Sequence, residues 1–158
     1  MRLFHVMLVA GSAVLSAATL AAARPVPDGG VTAAEVVDVM TTAGYKANVE
    51  KDSRGDPIIR SSASGAKFSV EFYGCDASKR CASLQFTAWF DHDNRTPARV
   101  AKWNATRRFG KASTDDDGDV QFTMDIVVAH GATTELLASN FERWDSVLGN
   151  FRNFMYGD

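Results

Sequence analysis

The run from Lys67 to Phe90 limits most narrowly what this chain can fold into. Phe68, Val70 and Phe72 alternate with Lys67, Ser69, Glu71 and Tyr73. Further on, Leu84, Phe86, Ala88 and Phe90 alternate with Ser83, Gln85, Thr87 and Trp89. A period of two sends every second side chain to the same side, so both runs read as strands with one buried face. Between them Cys75 and Cys81 flank the polar stretch Asp76 to Arg80. If the cysteines stand directly opposite, Phe72 faces Leu84, Val70 faces Phe86 and Phe68 faces Ala88. That register gathers the apolar side chains on one face and sends both cysteines to the other, with Tyr73, Ser83 and Trp89. A slip of one residue would scatter them. The expected unit is a hairpin bridged by a Cys75–Cys81 disulfide, its sulfurs on the polar face. So short a loop means that the bridge rigidifies the hairpin more than it joins distant parts. A redox-active pair fits less well, because the spacing lacks the helix-start geometry that lowers a thiol pKa. Zinc would need two further ligands close by.

The compartment follows from the start of the chain. Arg2 precedes an uncharged run, Leu3 to Ala23, that closes on Ala21-Ala22-Ala23 before Arg24-Pro25. This is the pattern of an export signal over 1–23 with a small-residue cleavage site. An uncleaved anchor is the competing reading, since roughly 20 apolar residues can span a bilayer. The Ala-rich ending fits processing better, and no cysteine follows it to carry a lipid. The expectation is a periplasmic or secreted protein with no stable membrane insertion after cleavage, in which an even pair of cysteines is a disulfide candidate. Residues 24–30 read as a flexible lead-in and 31–158 as one domain, about 135 residues remaining after the leader. Lys and Arg total 17 against 19 Asp and Glu, so no basic excess draws the chain to nucleic acid.

The other elements carry their own signals. Thr32 and Glu35 form a capping box, Val31 can staple onto Val36, and Gly44 stops the helix. Tyr45 to Glu50 and Ile58 to Ala63 read as strands around a turn at Asp52 to Asp56. Thr96-Pro97 opens a helix to about Arg108, followed by a short strand from Phe109 to Ser113. After Asp115 to Asp119, the residues Val120, Phe122, Met124, Ile126 and Val128 alternate cleanly. A last helix, Thr134 to Met155, carries the stripe Leu137, Phe141, Trp144, Leu148, Phe151 and Met155. The order α-β-β-β-β-α-β-β-α, dominated by hairpins, implies an α+β fold: an antiparallel sheet with helices packed on it.

Candidate chemistry is sparse. Asp115-Asp116-Asp117-Gly118-Asp119 invites a calcium reading, but aligning Gly118 to the invariant glycine puts Met124 where a bidentate Glu belongs. An acidic hairpin turn is the better account. His92 lies between Asp91 and Asp93, yet a zinc site or acid–base pair would want a third ligand or a nucleophile. Asp93 or Asn94 reads as shaping that turn. No G-x-S-x-G elbow, Walker loop or G-x-G-x-x-G is present. Trp103, Arg107 and Arg108 read either as an aromatic and basic patch or as a helix end packed on the sheet. No catalytic residue, metal ligand or cofactor is assigned.

The string Trp103-Asn104 … Arg108-Phe109-Gly110-Lys111-Ala112 … Asp116-Asp117-Gly118-Asp119 resembles the YbjN domain family of bacterial proteins. The resemblance runs from about Thr32 to Phe154. It implies a type III secretion chaperone-like fold, often dimeric, and a sensory-transduction regulator role without a stated chemistry. The leader and the Cys75/Cys81 pair depart from the family's usual form. The resulting expectation is an exported, non-enzymatic domain that binds a protein or peptide in a chaperone-like or regulatory role, with a homodimer as one candidate assembly and the oligomeric state left open. Tyr73 and Trp89 are the candidate partner-binding surface. The rivals are an envelope enzyme with a dispersed site and a structural or stress protein of the envelope.

Overall fold

The structure, a computed structural model, describes residues 23–93 and 96–157. The expected leader, apart from Ala23, and Asn94 lie outside the described residues.

The first helix, α1 (Ala33–Thr42), begins at the capping box. Thr32 Oγ1 accepts from the Glu35 amide at 3.3 Å, and the Glu35 carboxylate accepts from the Thr32 amide at 2.9 Å. The expected strand from Tyr45 starts later, as β1 (Asn48–Lys51), because Tyr45 is used elsewhere. Its ring packs on Phe141 with centroids 6.0 Å apart and its hydroxyl reaches Asp145. Strands β2 (Pro57–Ala63), β3 (Ala66–Cys75) and β4 (Cys81–Phe90) form a meander. Helix α2 (Thr96–Thr106) ends short of Arg108, because Phe109 and Gly110 take φ of 57° and 122° and turn the chain left-handed. A Cβ at Gly110 would overlap the Phe122 ring, so that turn needs glycine. Strand β5 (Lys111–Thr114) therefore starts after Phe109, and β6 (Val120–Val127) and α3 (Thr134–Tyr156) complete the order expected.

The six strands form one antiparallel sheet in the order β1-β2-β3-β4-β6-β5. Val70 pairs with Phe86, Phe72 with Leu84 and Cys75 with Cys81, which is the register the alternation requires. The inward row Ile59, Val70, Phe86 and Met124 meets the stripe of α3, whose six apolar residues are all buried. Aromatic rings dominate that interface. Phe122 stacks on Phe151 at 4.0 Å and on Trp144 at 5.6 Å, and Trp103 from α2 sets its edge against both phenylalanines. All three helices contribute to this one core, so they share one face of the sheet.

Residues read as a flexible lead-in are paired to the body. The Val26 amide donates to Ala132, and Val31 and Cys81 exchange both backbone bonds at 2.8 and 3.1 Å. This changes the surroundings of the cysteines. Cys75 and Cys81 are bonded across the strand pair, but only Cys75 lies in the open; Val31 covers Cys81, which is 1% exposed. By register both cysteines stay on the face that carries Tyr73 and Ser83. A Cβ at Gly30 would overlap the Cys81 carbonyl, so the close approach requires glycine there.

The ring stack should carry much of the stability. Replacing Phe122 by Ala is expected to lower the unfolding free energy by about 3–5 kcal/mol in chemical denaturation. A loss under about 1 kcal/mol would mean that α3 is not docked on β6 as described.

Candidate binding surface

The helices occupy one face; the other carries none, although Ile58, Ser69 and Thr87 on it are buried. Antiparallel register places its side chains in rows: Asn48, Arg60, Ser69, Thr87, Thr123 and Lys111 in one, Glu50, Ile58, Glu71, Gln85 and Asp125 in the next. Tyr73 and Trp89 both stand on this face, 41% and 52% exposed. They do not touch. Tyr73 sits opposite Ser83 at one end of β4 and Trp89 near the other end, roughly 20 Å along the strand. The expected pair is therefore two separate aromatic positions on one surface. Trp89 edges a shallow depression of about 420 Å³ with Arg60, Lys67, Ser69 and Thr87. Tyr73 donates to Glu71 at 3.0 Å; partial burial and then that carboxylate hold its phenol above the ordinary range.

At one end of this face, the hairpin tip is locked to α1. Arg80 reaches both Glu35 oxygens at 2.8 and 2.9 Å and donates to the Gly30 carbonyl at 2.8 Å. The guanidinium keeps the Glu35 carboxyl below its usual range. Asp76 shapes the loop by accepting from the amides of Ser78 and Arg80. Both partners of the ion pair are therefore already engaged in holding structure.

At the other end, the motif around Trp103 resolves into packing. Trp103 is buried and its Nε1 donates to the Gly110 carbonyl at 3.1 Å. Asn104 takes both backbone groups of Ala112, donating at 2.8 Å and accepting at 3.0 Å, and so plays the part of a neighbouring strand along β5. Arg107 lies over Trp103 and Phe154, while Arg108 lies over Phe109.

His92 and the acidic turn come together across the strand ends. His92 Nδ1 and Asp119 Oδ1 are 2.8 Å apart, and the His92 amide also donates to that oxygen. Asp115 is occupied within the turn, accepting from the amides of Asp117 and Asp119, and Gly118 takes φ of 90°. Asp93 interacts with Thr96 at the start of α2. The Tyr156 hydroxyl donates to the Asp91 carbonyl at 2.7 Å. Among the described residues no three of His, Cys, Asp and Glu gather where a metal ion could be held. No described helix is long and apolar enough to cross a membrane.

Together these features define a small α+β domain with a one-sided sheet and structural ion pairs. The chain belongs to the YbjN family, whose model, described as "Putative bacterial sensory transduction regulator", matches residues 32–156. That description names a regulator and no enzyme activity. Among curated proteins none matches the chain.

The bond to Asp119 raises the His92 pKa, with further support from the charges of Asp115 and Asp91. Asp119 is lowered by the same contact. A raised histidine adds stability that is complete below its unfolded pKa and is lost as pH climbs through the folded value. A lowered carboxylate adds stability that is complete above its unfolded pKa and is lost as pH falls. The clamp is thus strongest between about pH 4 and 6.5, the ordinary ranges of the two groups. NMR titration should find the His92 midpoint above about 6.5 and returned toward that value in Asp119→Asn. Equal midpoints in the two proteins would refute the pairing.

Proposed function

We propose that this protein is an exported, non-catalytic regulatory domain that binds segments of another protein through the outer face of its sheet. The supporting observation is the one-sided architecture. Three helices cover one face, and the other presents Trp89 and Tyr73, half exposed, on a rigid antiparallel frame. Aromatic side chains give large contact area for few rotatable bonds and are enriched at binding hot spots. The titratable groups that sequence reasoning singled out are engaged structurally: Glu35 with Arg80, His92 with Asp119, and Cys75 with Cys81.

Export is the part of this reading that rests on the leader pattern over residues 1–23. The Cys75–Cys81 bridge supports it, because such bonds persist in the periplasm or outside the cell and are rare in the cytosol. The role is chaperone-like or regulatory, and the slight acidic excess argues against nucleic acid as the partner.

The test is an array of short peptides tiled from envelope proteins, probed with the oxidised domain and with Trp89→Ala. Apolar-rich peptides should bind, and the variant should bind them about tenfold or more weakly while melting at an unchanged temperature. An identical profile for both proteins would remove the outer face from the reading.

A further inference from the structure

The shape of the sheet at β5 leaves part of β6 bare. Strand β5 pairs only with Val120 to Thr123, so Met124 to Val127 have no neighbouring strand on that side. Backbone direction alternates along an antiparallel strand. The Val128 amide donates to Ala82 at 2.9 Å, toward β4, while Gln121 and Thr123 stand opposite Ser113 and Lys111 of β5. On β5 itself, Ala112 turns its backbone groups outward to Asn104, which confirms the phase. The same phase points the N–H and C=O of Asp125 and Val127 away from β4 into the open. Among the described residues nothing bonds to them.

A groove of about 720 Å³ runs along this bare edge, lined by Phe109, Lys111, Ile126, Asn140 and Arg143 among others. Val127 is 71% exposed and Phe109 47%. The Phe109 ring lies under two guanidinium groups, Arg108 at 4.8 Å and Arg143 at 4.6 Å from its centroid. Neither arginine nor Lys111 has an ion-pair partner among the described residues. The carboxylate in the lining, Asp125, already accepts from Gln85 at 2.8 Å. The site therefore combines an unpaired strand edge, apolar contact area and surplus positive charge.

We propose that this groove receives an extended acidic and apolar segment of a partner protein as an added antiparallel strand beside β6. Its backbone bonds Asp125 and Val127, its carboxylates on the helix-facing side meet Arg143, which lies over Phe109, and its apolar side chains on the other side cover Val127. The assignment rests on the reading above only in that the domain binds protein segments; it adds a second site, at the edge of the sheet, with its own partner chemistry. A second copy of this chain fits the site worse, since a two-fold contact would set the same three cations against one another.

The probe is a fluorescein-labelled hexapeptide of alternating Glu and Val, followed by anisotropy at low salt, beside its Lys–Val counterpart. The oxidised domain should bind the acidic peptide about tenfold or more tightly than the basic one. Val127→Pro, which deletes one edge donor at an exposed position, and Arg143→Glu should each weaken binding by about tenfold, with Lys51→Glu, a charge reversal on the opposite edge strand β1, without effect. Equal affinity for both peptides would overturn the proposal. So would unchanged binding in both edge variants, an outcome that leaves the open-face reading standing. Self-association abolished by Val127→Pro would make a second copy the occupant and also overturn it. If neither hexapeptide binds and the array is blank, both readings fall.

Discussion

The stack of Phe122 between Phe151 and Trp144 is the contact on which the rest of the molecule depends. It joins the middle of β6 to the middle of α3, and Trp103 adds α2 from the side. Burying rings of this size against one sheet face offsets much of the entropy of ordering the chain. It also decides what stays outside. A sheet whose helices all gather on one face leaves its other face to polar rows and isolated aromatics, and function has to be sought there or at the edges.

The edges are treated unequally. Along β5, Asn104 satisfies the outward backbone groups of Ala112, and the Trp103 bond to Gly110 fixes α2 beside them. That arrangement explains in physical terms why Trp-Asn and Phe-Gly occur together in the string that resembles the family. An amide side chain at the right height blocks a strand edge that would otherwise pair with another chain. The left-handed turn at Phe109 and Gly110 ends this protection after Lys111. Beyond it the edge of β6 is uncovered, and an arginine-flanked phenylalanine stands beside it.

Much of this could be read from the sequence because it is local. The alternations at Phe68 to Phe72 and Leu84 to Phe90 carry their register, since any slip would bury Glu71 and Gln85. The capping box at Thr32 and the stripe from Leu137 to Met155 are equally local. Other features depend on distant chain. Nothing near Cys81 announces that Val31 will cover it. Period two shows that Tyr73 and Trp89 share a face but not how far apart they stand. Strand length read from apolar residues alone placed Phe109 in β5, where its positive φ forbids it. The pairing of Phe109 with Arg143 joins a turn to a helix face, a contact no spacing rule covers. The polar face of the sheet was legible as such; the bare half of β6 was not, because it arises from a difference in length between two strands.

Amide hydrogen exchange on the uncomplexed, oxidised domain tests this account most directly. It predicts that the amides of Asp125 and Val127 exchange close to the unprotected rate, while those of Met124 and Ile126, bonded to β4, and of Ala112, bonded to Asn104, are slow. Protection of Asp125 and Val127 equal to that of Met124 and Ile126 would contradict it, because the outer half of β6 would then already have a partner.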